Sequence, residues 1–130
     1  MGLTTNVNPG AVDPKPVVAA TTQIEYSDFQ KVELRAGKVV TASRVEGSEE
    51  GKLLKLSVDF AEAAPRQVVA GIGLSVTPES LVGKNFVFVT NLKPRKLMGL
   101  ESQAMILAAG PDPKTLSFVA TEAAPGLAFK

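Results

Sequence analysis

Residues 84–109 read KNFVFVTNLKPRKLMGLESQAMILAA, and this stretch decides the fold. Two segments within it, residues 85–90 and 102–109, carry apolar side chains at consecutive positions, so they predict strands that are buried on both faces. The connection between the two segments is basic. Its cations are Lys93, Arg95 and Lys96. The sequence therefore predicts two core strands joined by a basic turn at the surface.

The basic connection also contains residues that shape its backbone. Pro94 fixes one dihedral angle and removes a hydrogen-bond donor, whereas Gly99 permits a turn at positive φ. We therefore expect the three cations to be held on a stiff hairpin beside a rigid sheet. A shallow cationic surface of this kind suits a phosphate backbone with exposed bases.

Three further strands are predicted upstream, at residues 34–45, 52–60 and 66–72. The second has a clean period of two, because Leu54, Leu56, Val58 and Phe60 share one face. Gly37 interrupts the first strand, and a glycine inside a strand often marks a bend or bulge. A first strand needs such a bend if it must serve both sides of a small closed barrel.

Two short helices are predicted outside these strands. A Thr-Pro-Glu sequence opens residues 77–83 and favours a helix of about two turns. Ser27 or Asp28 is suited to cap another helix near the N-terminus. We expect Phe29 and Val32 of that helix to point inward.

This order of elements predicts an all-β protein with the OB-fold. Periodicity alone indicates only a mostly-β barrel or sandwich, but five principal strands with a short helix between the third and fourth favour a five-stranded Greek-key barrel. Residues 116–120 are suited to a sixth strand. The apolar segment 125–129 is expected to lie along the barrel or against a partner, so the barrel carries a C-terminal extension.

Composition predicts one domain preceded by a tail. A chain of 130 residues suits a single domain, and 45% hydrophobic residues suffice for a core. Residues 1–23 are rich in Pro and Ala and predict a flexible linker or tail, which leaves residues 24–130 for the barrel. A linker implies attachment to something larger, and a free-standing protein with a loose tail is the alternative.

The residue types that are missing exclude several classes of function. The chain contains no cysteine and no histidine, which excludes a disulfide framework, a thiolate zinc site and Ser–His or Cys–His catalysis. We therefore expect no catalytic residue, no metal and no cofactor. No secretory signal and no apolar run near 18 residues is visible in the sequence, so we expect a cytoplasmic protein without membrane attachment.

The net charge of +1 is unevenly distributed along the chain. Residues 31–44 and residues 84–101 each contain four cations and one anion, a net charge of +3 in each segment. Two basic segments that lie far apart in sequence can form one face of a folded domain. Ordinary surface cations are the alternative interpretation.

Five motifs in a fixed order resemble a known family. They are residues 29–39, 52–56, 66–72 and 77–83, and NLKPRK at 91–96 followed by ESQAM at 101–105. Together they resemble the tRNA-binding domain appended to many methionyl-tRNA synthetases, which also occurs as a free-standing tRNA-binding protein and in EMAP-type cytokine precursors. The resemblance implies non-catalytic tRNA binding, a homodimer, and the catalytic body of a methionyl-tRNA synthetase as a further partner. Many bacterial members have glycine at the position of Ala104, and serine is frequent at that of Ala70, which leaves the subfamily open.

The OB-fold and this resemblance together define the candidate RNA-binding residues. Ligands of OB-folds lie across strands 2 and 3, between two flanking loops. The first group of candidates lies around the basic turn and comprises Asn91, Lys93, Arg95, Lys96, Ser102 and Met105. The second group comprises Lys31, Arg35, Lys38 and Lys52. From the residues alone Met105 is a core residue or an outward contact, whereas the resemblance places its Ser-x-x-Met motif on the tRNA-contacting face.

Two other functions are weighed against RNA binding. The first is a dimerisation or chaperone module with a peptide ligand. Proteins that resemble the CsaA secretion chaperone share the fold, but they lack a close match to NLKPRK. An enzyme is disfavoured by the missing catalytic residue types. With one tyrosine and no tryptophan, stacking of bases on aromatic side chains has little support. We expect recognition by shape and backbone charge, with little sequence readout.

Overall fold

The alternating apolar side chains close a curved antiparallel sheet around one core. The computed structural model describes residues 22–130 of the chain. Ten strands are present in this range: β1 (Leu34–Arg44), β2 (Leu54–Asp59), β3 (Arg66–Ala70), β4 (Asn85–Val89), β5 (Arg95–Leu97), β6 (Leu100–Ser102), β7 (Met105–Ile106), β8 (Ala108–Ala109), β9 (Ser117–Phe118) and β10 (Ala128–Phe129). The main sheet has the order β3-β2-β1-β4-β7, with β10 also paired to β1. The predicted all-β OB-fold barrel is confirmed.

The long strand β1 serves two neighbours, as predicted. Residues 34–38 pair with β4, and residues 38–44 pair with β2. The irregularity in register lies between Val39 and Thr41 rather than at Gly37. Gly37 has a different role, because a Cβ atom there would lie 2.5 Å from the Phe60 ring. The missing side chain therefore lets β1 pack directly on the core.

The core follows the predicted alternation of β2. Leu54, Leu56, Val58 and Phe60 are all buried. Phe60 packs edge-to-face against Phe88 of β4, with ring centroids 5.2 Å apart. Strand β4 carries buried side chains on both faces, as its continuous apolar sequence predicted.

The barrel closes between β3 and the segment after β6 through side chains as well as backbone. Gln103 donates its backbone N–H to the Gln67 carbonyl at 2.8 Å. The Gln67 N–H donates to Gln103 Oε1 at 3.0 Å, and the Val69 N–H donates to Ser102 Oγ at 2.9 Å. Polar side chains thus satisfy the edge of β3 where a regular ladder is absent.

Both helices differ from the prediction, the first in its cap and its exposed residues and the second in its length. Helix α1 (Tyr26–Phe29) has a capping box between Glu25 and Asp28, and Phe29 and Val32 are 39% and 44% exposed, so the prediction that they point inward was wrong. The helix between β3 and β4 is a single 3-10 turn, Pro78–Ser80, instead of two turns. Another 3-10 turn, Glu49–Gly51, follows β1. Nucleating a longer helix is unfavourable, and the short connections are held by the barrel instead.

The segment predicted as one strand at 102–109 is divided. Its parts are β6, which belongs to a separate hairpin, β7, which pairs with β4, and β8, which pairs with β9. The apolar C-terminus lies along the barrel, because β10 pairs with Leu34 and Arg35. It fills the edge of β1 that β2 leaves unpaired. The C-terminal extension therefore completes the sheet.

The predicted linker, residues 1–23, falls outside the described range except for its last two residues. Among the helices of residues 22–130, none has the length and apolar character needed to cross a membrane.

Candidate nucleic-acid interface

The basic connection between β4 and β7 forms a hairpin of its own. Strands β5 and β6 pair Arg95 with Ser102 and Leu97 with Leu100. Met98 and Gly99 form the tip with φ values of 50° and 78°, and two successive residues at positive φ match the twist of adjacent strands. The basic turn of the sequence analysis is thus a rigid two-stranded element, which we call the cationic hairpin (residues 91–102).

A hollow of about 110 Å³ lies beneath the cationic hairpin and is called here the hairpin groove. It is lined by Val69, Leu92, Lys93, Arg95, Leu97, Ser102, Ala104 and Met105. The floor comes from β3 and from the segment that leads into β7, and the hairpin supplies the cations. Cationic and apolar side chains therefore meet in one groove.

A second, more open hollow of about 360 Å³ continues from the hairpin groove. The two hollows share Val69, Arg95, Leu97 and Met105, and the second one adds Lys52. The backbone at Lys52 is fixed, because its carbonyl accepts a hydrogen bond from the Gly73 N–H at 2.8 Å. The fold thus brings a cation from the β1–β2 connection to the same surface as the cationic hairpin.

Five of the ten candidate residues line these two hollows: Lys52, Lys93, Arg95, Ser102 and Met105. Met105 is 47% exposed. Of the two interpretations of its sequence, the structure shows the outward one.

Two of the polar candidates have hydrogen bonds that fix the fold. The hydroxyl of Ser102 is buried, accepts from the Val69 N–H and lies 3.0 Å from the Ala104 carbonyl. The Asn91 amide donates to the Lys31 carbonyl at 2.7 Å and accepts from the Glu33 N–H at 2.9 Å. Both side chains therefore hold the base of the cationic hairpin in place.

The remaining four candidates lie outside the hairpin groove. Lys96 alternates with Arg95 and Leu97 along β5, so it faces away from the groove. Arg35 pairs with Glu62 at 3.3 Å, and Lys31 lies beside the exposed Asp28 at 3.4 Å. Lys38 is opposite the first residue of β4, four residues from the end at which the hairpin begins, or roughly 13 Å along the strand. Lys31, Arg35 and Lys38 thus do not line the groove together with Lys93 and Arg95.

Arg66 connects both ends of the cationic hairpin. Its Nη1 donates to the Thr90 carbonyl at 2.7 Å and to the Gln103 carbonyl at 3.2 Å. Its Nε and Nη2 donate to Glu62 at 2.9 Å and 2.7 Å. This hydrogen bonding lowers the pKa of the Glu62 carboxyl below its ordinary value of 4.5 and raises that of Arg66. The charge of Arg66 is thereby balanced within the fold.

The sequence analysis missed Arg66 and, apart from Met105, the apolar members of the groove. Arg66 is 24 and 37 residues away from the two carbonyls that it binds, so no local pattern marks it. Leu92 and Leu97 did offer a signal, since both interrupt the basic connection with apolar side chains. Leu92 is 52% exposed and lines the hairpin groove together with Leu97 and Met105, and a contiguous exposed apolar surface is more informative about binding than a single exposed leucine.

The tRNA_bind family, described as "Putative tRNA binding domain", matches residues 34–126. The chain belongs to this tRNA-binding domain family. The match spans β1 through the glycine before β10 and includes the whole cationic hairpin. The resemblance inferred from the five motifs is therefore confirmed.

Relatives with similar sequences are methionine–tRNA ligases. The ligase of Myxococcus xanthus is 51% identical over 108 residues, which are 82% of this chain and 15% of the ligase. That of Thermotoga maritima is 52% identical over 93 residues, 72% of this chain and 14% of the ligase. The domain thus corresponds to a small part of these longer proteins.

Solved structures share the fold over their full length. A MetRS-related protein from Pyrococcus horikoshii has 33% identity and a TM-score of 0.77, covering 85% of this chain and 100% of its own. The chaperone CsaA from Bacillus anthracis has 25% identity and a TM-score of 0.73, covering 84% and 100%. The same barrel is therefore found with two different named functions.

Proposed function

We propose that this domain binds tRNA through the hairpin groove and carries out no catalysis itself. The observation that supports this most directly is the convergence of Lys52, Lys93 and Arg95 on the hairpin groove and the hollow that adjoins it, in a chain that belongs to a tRNA-binding family. Arginine can grip a phosphate with two parallel donors, whereas lysine acts as a mobile point charge. The rigid hairpin limits the entropy that must be lost when these cations order around RNA.

The proposal extends to a role within a larger synthetase. The relatives that match are methionine–tRNA ligases, of which this chain spans 15% or less in the two compared above. As the C-terminal appended domain of such a ligase, it would supply a second attachment point and raise the local concentration of tRNA near the catalytic body. This activity belongs in the cytoplasm, where tRNA is charged. A free-standing tRNA-binding protein is the alternative.

We further propose that the domain forms a homodimer with an isologous, two-fold interface. Exposed apolar side chains near the two ends of the described chain support a contact there. Ile24, Tyr26 and Leu127 are 66%, 67% and 55% exposed. Val17 and Val18 are further apolar residues near the N-terminus that we assign to this contact, and they lie outside the described residues. A tRNA ligand could then span two equivalent grooves.

The decisive experiment removes the charges of the cationic hairpin. Replacing Lys93, Arg95 and Lys96 together by alanine should abolish measurable tRNA binding and leave the melting temperature nearly unchanged, because all three side chains are exposed. Filter binding and thermal melting measure the two effects. Equal tRNA affinity in the variant and the parent would reject this site.

A matched control removes three charges elsewhere. Lys38, Lys84 and Lys114 are exposed cations outside the hairpin groove. Their joint replacement by alanine changes the net charge by the same amount and should weaken tRNA binding far less. An equal loss in both triple variants would mean that total charge, rather than the groove, determines binding.

Peptide binding is a second candidate function, because CsaA has the same barrel and the hairpin groove has an apolar floor. Salt separates the two functions. RNA binding through about four phosphates should weaken about 100-fold between roughly 50 and 200 mM salt, because cations on the protein release counterions from RNA. Binding of an uncharged apolar peptide should barely change over this range.

A further inference from the structure

The hairpin groove contains more apolar surface than phosphate binding explains. Leu92 and Met105, both about half exposed, line it together with Leu97, Val69 and Ala104. Phosphate is strongly hydrated and gains nothing from contact with leucine or methionine. An exposed apolar surface in contact with two cations calls for a ligand that is both anionic and apolar.

We propose that the hairpin groove holds one unpaired nucleobase of the bound RNA, packed against Leu92 and Met105. The adjoining phosphates meet Lys93 and Arg95 at the rim, and the backbone continues through the open hollow toward Lys52. This inference rests on the proposed RNA-binding function and defines which part of the RNA enters the site.

The dimensions of the two hollows suit a nucleotide. The hairpin groove, at about 110 Å³, is smaller than the roughly 300–1,000 Å³ of pockets that bind drug-sized molecules. A hollow of this size suits a small group of the RNA rather than a whole drug-sized ligand. The neighbouring hollow of about 360 Å³ shares Arg95 and Met105 with it, so a chain leaving the groove stays beside a cation.

The polar groups of the groove indicate how selective this subsite is. The Ser102 hydroxyl is already engaged with the Val69 N–H and the Ala104 carbonyl, which leaves it poorly placed to read a base edge. Contact with Leu92 and the polarizable sulfur of Met105 depends on the face of the ring, which every base offers. The subsite therefore requires that the base be unpaired and discriminates little among the four bases.

Aliphatic side chains here take the place of the aromatic platforms that the sequence lacks. The only tyrosine, Tyr26, lies in a different hollow with Phe29 and Phe129. A base can gain from burial against Leu92 and Met105 through dispersion and loss of water contact. Charge complementarity favours a nucleotide over an apolar peptide, because Lys93 and Arg95 adjoin the same floor.

The first test compares a double variant and a single variant of the intact chain on tRNA between roughly 50 and 200 mM salt. Leu92→Ala/Met105→Ala should bind about 10-fold more weakly at every salt concentration with the salt slope of the parent, because apolar contacts release no counterions. Lys93→Ala, which removes one cation and leaves Arg95 in place, should instead have a shallower slope. Val82→Ala/Val119→Ala removes exposed apolar groups outside the groove and should bind like the parent.

The second test uses a short single-stranded oligoribonucleotide in which each base in turn is removed. At one position the abasic change should weaken binding to the parent about 10-fold, and it should have no effect on Leu92→Ala/Met105→Ala, since the two losses remove the same contact. Abasic changes that act equally on both proteins would overturn the proposal. The proposal would also be overturned if an uncharged apolar peptide displaced the RNA and every abasic oligonucleotide bound as tightly as the intact one.

These outcomes separate the subsite from the proposed function. If the parent binds tRNA with a steep salt slope but Leu92→Ala/Met105→Ala binds equally well, the base subsite is rejected and tRNA binding stands. If the parent fails to bind tRNA at all, the proposed function is rejected, and the subsite with it.

Discussion

Ser102 shows how one small side chain can hold the barrel and border the site at the same time. It lies opposite Arg95 in the cationic hairpin, and its buried hydroxyl satisfies the Val69 N–H on β3. A hydroxyl that both accepts and donates is suited to this position, because the strand edge presents an N–H and carbonyls together. The fold therefore favours serine at this position, which lies directly next to the groove.

We predict that Ser102→Ala lowers the free energy of unfolding by about 1–3 kcal/mol, because it leaves the buried Val69 N–H without its partner. Urea unfolding followed by circular dichroism measures the change. Ser43→Ala, at an exposed position of β1, is the control and should change stability by less than about 0.5 kcal/mol. Similar values for the two variants would contradict the assigned role of Ser102.

At the scale of elements, the cationic hairpin depends on a polar anchor at its base. Arg66 binds the carbonyls on either side of the hairpin, at Thr90 and Gln103. Glu62 neutralises Arg66 and also pairs with Arg35. A flexible basic loop would lose entropy on binding RNA, whereas this anchored hairpin is already ordered.

The anchor makes part of the stability of the domain dependent on pH. Hydrogen bonding to Arg66 lowers the pKa of Glu62 in the folded state below 4.5. A depressed pKa gives stability that is present above the unfolded-state pKa and is lost as the pH falls through the folded-state value. We predict that Glu62→Gln loses less stability than the parent between about pH 6 and pH 3.

Thermal melting at intervals of pH measures this difference. Glu122→Gln, at another exposed acidic position, is the matched control and should follow the parental acid dependence closely. If Glu62→Gln and the parent lost stability equally as the pH falls, the pairing of Glu62 with Arg66 would not contribute to the acid dependence.

At the scale of the whole molecule, the C-terminal extension completes the barrel at β1. The Ala36 N–H donates to the Leu127 carbonyl at 2.9 Å, and the Gly126 N–H donates to the Ala36 carbonyl at 2.8 Å. Gly126 has a φ of 90°, and a Cβ atom there would lie 2.5 Å from the Phe60 carbonyl oxygen. The close approach of these backbones connects the last strand to the core residue Phe60.

We predict that Gly126→Ala destabilises the domain by about 2 kcal/mol or more, since it adds a backbone collision to the strain of a positive φ. Gly83→Ala separates the two effects. Gly83 has a φ of 85° and no atom within 4 Å of the added Cβ, so it should cost only about 1 kcal/mol. Chemical unfolding of both variants measures the difference, and equal losses would show that β10 is not tightly packed.

The local patterns of the sequence predicted much of the framework. The alternation from Leu54 to Phe60 predicted which face of β2 is buried, and the continuous apolar run in β4 predicted a strand buried on both faces. These inferences succeeded because the side-chain period of a strand depends only on its own backbone. The length of the helix between β3 and β4 and the inward orientation of Phe29 and Val32 were predicted wrongly. A short helix is decided by the packing around it rather than by its capping residues.

Local patterns and the order of the motifs were enough to predict the barrel, the family and the basic hairpin that carries Lys93 and Arg95. Which other residues join them is visible only in the folded chain: Lys52 reaches the same surface, Lys38 stays away from it, and Arg66 holds the hairpin from its base. This division follows from distance along the chain. A residue's face follows from its neighbours in sequence, whereas the meeting of residues more than 40 positions apart, such as Lys52 and Lys93, follows from strand register and barrel closure.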